Sequence, residues 1–171
     1  MTKNEEIDWS SVTEPMARQI LAQAQTYLQC QWQAGIAADQ RAVTTASILI
    51  TTSTAVTGGA IAYGTASHPD LNIVAAGFIA GWLLLLGAIL CFWSARPEPF
   101  FSPGNEPSQW WPIRHEDLVK SIGGETENLQ KHIEYNNKVL ADRSRWFNYG
   151  VVAAVTAPLA SSIYFAAVTF F

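Results

Sequence analysis

Lys131, Lys138 and Arg145 stand seven residues apart, a spacing that keeps them on one face of a helix of about 3.6 residues per turn. A row of cations like this can hold phosphate oxygens, and together with Arg114 it marks where a small anionic ligand would be read. The same residues have a plainer use. Glu127 precedes Lys131 by four, and Glu134 precedes Lys138 by four, the favourable order for exposed helical ion pairs. The row is therefore either a solvated, salt-bridged face or an anion reader. Trp110 and Trp111, with Phe100 and Phe101 close by, leave a similar choice. They pack on a helical stalk or along lipid headgroups, or they form a stacking platform for a flat ligand.

Other familiar chemistry is missing. His115-Glu116-Asp117 and His132-Ile133-Glu134 lack the spacing that puts two imidazoles on one helical face for zinc. The chain has no Walker-type glycine loop, no paired cysteines for a metal and no nucleophile elbow. Cys30 and Cys91 are far apart, which argues against a disulfide framework. We therefore expect no enzyme activity, no catalytic residue, no metal and no cofactor. The net charge of −4 also argues against duplex nucleic acid, because phosphate backbones require a basic surplus.

A different kind of chemistry appears in residues 42–63, which carry no charge yet hold eight Ser or Thr among 22 residues. At 100° per residue, Thr44, Ser47, Thr51, Thr54 and Gly58 share an arc of about 80° with no bulky apolar side chain in it. A small, hydroxyl-bearing stripe on a membrane helix is costly against lipid. It serves either as a dry packing seam or as the lining of a watery conduit built from several copies.

The elements that position these groups follow from hydropathy. Only 14% of the chain is charged, against about a quarter in soluble domains. Charges are absent from 42–63, 71–93 and 146–171. A hydrocarbon core of about 30 Å needs about 20 apolar helical residues, so we expect an all-α integral membrane protein with spans at 42–63, 71–93 and 150–171. A turn containing Gly64 and Pro69 joins the first two. Residues 1–41 hold no apolar run of about 7–15 residues that would read as a leader, so the first span is expected to insert internally. All ten basic residues flank one side of these spans. That places 1–41 and 94–149 in the cytoplasm and the C-terminal end at the outer face.

Residues 14–41 read as a cytoplasmic helix able to run on into the first span, capped at Thr13. Five prolines forbid regular structure over 96–112. A short helix near 116–122 is expected to end at Gly123-Gly124, after which apolar spacing resumes at 129, 133, 136 and 140 toward the third span. Gly77 and Gly81 form a GxxxG, and Gly150, Ala154 and Ala157 form another small-residue face, both suited to close helix packing. Pro158 is expected to loosen the third span. Three adhesive faces are poorly satisfied in one copy, so a homo-oligomer is expected, with the bilayer as its other partner.

The layout resembles small bacterial membrane effectors of nucleotide-signalled anti-phage defence, such as the membrane channel component of the Hailong system. The resemblance rests on the short chain, the few spans, the polar first span entered through Ala37-Ala38-Asp39-Gln40-Arg41-Ala42, and the segment Pro103-Gly104-Asn105-Glu106-Pro107-Ser108-Gln109-Trp110. It implies an oligomeric pore of the bacterial inner membrane whose cytoplasmic part senses a small nucleotide or oligonucleotide.

Overall fold

The computed structural model describes residues 8–104, 108, 112, 115 and 117–170. After a 3-10 turn at Trp9–Ser11, three helices follow: α1 (Glu14–Gly64), α2 (Leu71–Ser94) and α3 (Leu118–Phe170). All three are long and apolar enough to cross a membrane. The chain divides by packing into two compact units. One comprises residues 1–35 with 98–139, and the other comprises 36–97 with 140–171.

Along α3 every seventh residue from 122 is buried: Ile122, Leu129, Asn136, Arg143, Gly150 and Ala157. A strict seven-residue repeat of core positions is the signature of coiled-coil packing, in which a polar residue at a core position specifies register at some cost in stability. In the first unit this seam of α3 meets α1. Ala17 packs with Trp9 and Ile122, and Leu28 packs with Leu129 and Ile133. Beyond them the core turns polar, where Gln31 Nε2 donates to the Ile133 carbonyl at 3.2 Å and to Asn137 Oδ1 at 2.8 Å.

Gly123-Gly124 does not end a helix, contrary to the expectation from sequence, because α3 runs through both residues. The reason is the Trp9 ring, which lies where a Gly123 side chain would be, 2.5 Å from an ideal Cβ. Trp9 also donates its indole N–H to Glu127 Oε1 at 2.8 Å. Burying the indole against bare backbone offsets the helix-weakening cost of glycine, about 1 kcal/mol. The helix starts instead at Asp117, whose carboxylate accepts the Val119 and Lys120 amides at 2.9 and 3.2 Å as an N-cap.

In the second unit α1 and α2 form a hairpin. Asp70 caps α2 through the Asn72 amide at 2.8 Å. Gly77 faces Ala60, whose Cβ would lie 2.7 Å from an added methyl, and Gly81 faces Thr57. Ser53, buried, donates to the Gly81 carbonyl at 2.8 Å, an interhelical bond of a kind that contributes about 0.6 kcal/mol in membranes. α2 and α3 approach through Gly87 and Gly150. An added Cβ on either would fall 2.8 or 2.7 Å from the other's carbonyl oxygen, and Cys91 Sγ would be 2.6 Å from that of Gly150. Pro158 lies inside α3, where its ring leaves one carbonyl of the preceding turn without a helical donor.

Candidate functional site

Thr44, Ser47, Thr51, Thr54 and Gly58 are all exposed in the protomer, and a Cβ added at Gly58 or Gly59 would meet open space. The packing surface toward α2 is carried by Ser53, Thr57 and Ala60, which at 100° per residue centre about 130° around α1 from the stripe. Two hydroxyl-bearing faces thus exist on one helix, and among the described residues one of them is packed while the other is exposed. On the exposed face Ser47, Thr51 and Thr54 each donate to the carbonyl four residues back, at 2.9, 3.0 and 2.9 Å. A hydroxyl has one proton and two lone pairs. Once the proton is committed to the backbone, what the face presents outward is oxygen acceptors.

A second group of polar residues ties together residues of α1, the chain after α2, and α3 within the same unit. Arg143, buried, pairs with Asp39 Oδ1 at 2.8 Å and donates to the Arg96 carbonyl at 3.3 Å. Arg96 pairs with Asp142 at 2.9 Å. Arg41 lies 5.1 Å from the Phe147 ring and Arg96 5.5 Å from the Trp93 ring, both within cation–π range. Trp146 and Tyr149 meet edge to face.

The third group lies in the first unit. Phe100 presses its ring on Gly35, 3.4 Å from an ideal Cβ there, beside Trp32. Phe101 stacks on His132 with centroids 3.9 Å apart and planes at 2°, and meets Tyr135 edge-on at 5.3 Å. Asn136, fully buried, holds the backbone of Phe101 at both polar groups. Its Oδ1 accepts the Phe101 N–H at 3.0 Å, and its Nδ2 donates to the Phe101 carbonyl at 3.0 Å.

Lys131 and Lys138 are exposed in this unit, and Arg145 is exposed in the other. Neither Glu127–Lys131 nor Glu134–Lys138 is among the ion pairs of the described residues, contrary to expectation. Glu127 is engaged by the Trp9 indole and Glu134 by Gln130 Nε2 at 3.0 Å. An indole N–H held at the core edge is a more ordered donor than a free lysine with about 2 kcal/mol of rotamer entropy. Trp110, Trp111 and Arg114 lie outside the described residues. Of the helix-packing residues, Gly77, Gly81, Gly150 and Ala154 line close approaches and Ala157 is fully buried. Sequence reasoning missed Ser53, Gly87, Asn136 and the Asp39–Arg143 pair. The seven-residue repeat through Asn136, Arg143 and Gly150 was the available signal, because it places an arginine in a core seam.

These features define an all-α, three-span membrane protein whose long helices extend beyond the bilayer. A family model described as the Pycsar effector protein domain, in its transmembrane form, matches residues 40–171, and the chain belongs to that family of cyclic-nucleotide anti-phage effectors. It is a membrane effector of nucleotide-signalled defence. No curated protein and no solved structure matches the chain.

Proposed function

We propose that the chain is a homo-oligomeric channel or pore-forming effector of the bacterial inner membrane, with the N-terminus and the 94–149 segment cytoplasmic and the C-terminal end outside. In this reading a nucleotide signal acts on its cytoplasmic helices. The observation that carries this is the exposed hydroxyl face of α1, Thr44, Ser47, Thr51 and Thr54, left uncovered while α2 takes the other face. A row of outward oxygen lone pairs inside a bilayer needs water or a polar neighbour, and several copies arranged about an axis supply both. Because the lining offers acceptors, the conduit passes cations and water in preference to anions. The fate of an infected cell follows from loss of its membrane potential.

In vesicles reconstituted with the full chain, Thr51→Leu is expected to lower ion flux at least about tenfold by dewetting the conduit, with the oligomer's size in detergent unchanged. Flux equal to wild type refutes the lining role of this face.

A second reading has its own observation. Gly58 and Gly59 sit side by side with open space around them, and adjacent glycines suit tight docking of another helix. A non-conducting scaffold that binds a larger membrane partner uses the same face for that purpose. A protomer that stays monomeric in mild detergent and assembles only with another polypeptide favours it over the channel.

A further inference from the structure

Phe101 sits in its seat as a ligand sits in a receptor. Its ring lies flat on the His132 imidazole, 3.9 Å away and 2° from parallel, with the Tyr135 edge closing the side. A buried carboxamide, Asn136, reads an adjacent N–H and C=O, one bond to each. An aromatic stack plus one amide paired with a neighbouring donor and acceptor is the chemistry by which side chains recognise an unstacked nucleobase. Phe101 is 38% exposed, so the seat opens to solvent and an incoming ring can replace the one that fills it.

The rest of a nucleotide has a place beside the seat. At 100° per residue, Lys138, Lys131, Tyr135, His132 and Asn136 follow one another around α3 within an arc of about 160°. The order runs from cations through aromatic rings to the amide. Lys131 and Lys138 are exposed, and neither is held by its neighbouring glutamate, since Trp9 and Gln130 occupy Glu127 and Glu134. A base on His132 and Asn136 therefore brings its phosphate toward two lysines on the same face.

We propose that this seat is the nucleotide-recognition site of the effector, and that Phe101 fills it in the resting protein as an internal stand-in for the base. The inference rests on the nucleotide-gated reading above and gives it a site and a device. Phe101 is seven residues past Ser94, the last residue of α2. A nucleotide that takes the seat frees the chain leading from that helix, and the competition between ring and base sets the threshold of the signal. An internal competitor lowers apparent affinity by the fraction of molecules whose seat is open.

The test is binding of the four 3′,5′-cyclic nucleoside monophosphates to the full chain in detergent micelles, followed by titration calorimetry. At least one is expected to bind wild type, and Phe101→Ala is expected to bind it about tenfold or more tightly. Phe101→Leu keeps both backbone bonds and the apolar fill but gives up the ring stack, so an intermediate gain is expected from a variant that folds. Asn136→Ala, and Lys131→Glu with Lys138→Glu, are expected to weaken binding about tenfold or more. Wild-type affinity in Phe101→Ala, Phe101→Leu and Asn136→Ala would place the nucleotide elsewhere and overturn the proposal while leaving nucleotide gating intact. Absence of binding by all four to wild type and to Phe101→Ala overturns both.

Discussion

Gly150→Leu is expected to abolish the packing of α2 on α3 and, with it, the thermally resolved unfolding transition of the detergent-solubilised protein. The two helices meet where neither has a side chain. A methyl on Gly150 alone would stand 2.6 Å from Cys91 Sγ, 2.7 Å from the Gly87 carbonyl oxygen and 2.9 Å from the Cys91 nitrogen. Two of these three neighbours are backbone, so no rotamer change relieves the clash and the helices must separate. Lipid tails are as apolar as the side chains, so membrane helices are held largely by close contact and by hydrogen bonds. Glycine pairs add Cα–H to carbonyl contacts of about 0.5–1 kcal/mol each. Gly150→Ala is expected to cost about 1–3 kcal/mol as an overpacked contact, and leucine considerably more. Gly58→Ala is the control: with open space around it, it should hold or raise protomer stability by up to about 1 kcal/mol, the helical preference for alanine. Equal melting of Gly150→Leu and wild type would disprove the approach.

The second large effect is expected at Arg143. Its side chain is 8% exposed and its partner Asp39 is 41% exposed, so this pair lies between the buried and surface limits. Truncation to alanine removes the Asp39 bond at 2.8 Å and the bond to the Arg96 carbonyl at 3.3 Å. Breaking a fully buried pair costs about 3–5 kcal/mol. The half-exposed carboxylate recovers water when its partner leaves, which brings Arg143→Ala to about 2 kcal/mol. Arg143→Lys should fall in between, because a point charge cannot serve two acceptors with the fixed fork of a guanidinium. Arg96→Ala should cost less than Arg143→Ala, about 1 kcal/mol, since its pair with Asp142 is 31% and 37% exposed and its contact with the Trp93 ring adds a fraction of that. Melting midpoints for these variants, with Asp39→Ala and the double variant completing a cycle, give the coupling directly. A coupling near zero would demote the Asp39–Arg143 contact to a surface pair.

The charge-free runs at 42–63, 71–93 and 146–171 specify three spans without any tertiary information, because the bilayer is a solvent whose thickness and polarity act on each segment alone. The hydroxyl stripe was legible for the same reason, since helical periodicity depends only on neighbours along the chain. Which face of α1 receives α2 was not. Ser53 and Thr44 are the same kind of residue, and only the position of Gly81 across the gap makes one a buried donor and the other exposed.

The helix through Gly123-Gly124 and the seat of Phe101 show the same limit more sharply. Local propensity reads two glycines as a stop, yet Trp9, more than a hundred residues earlier, turns one of them into a socket. Asn136 gives no sign in the sequence that it will clasp a backbone 35 residues away. The number of apolar spans and the polar faces of the helices were readable from the chain alone, since those depend on each residue's own transfer energy and on spacing. Which small and polar residues meet was settled by the packed fold, because that choice turns on contacts of a few ångströms between segments remote along the chain.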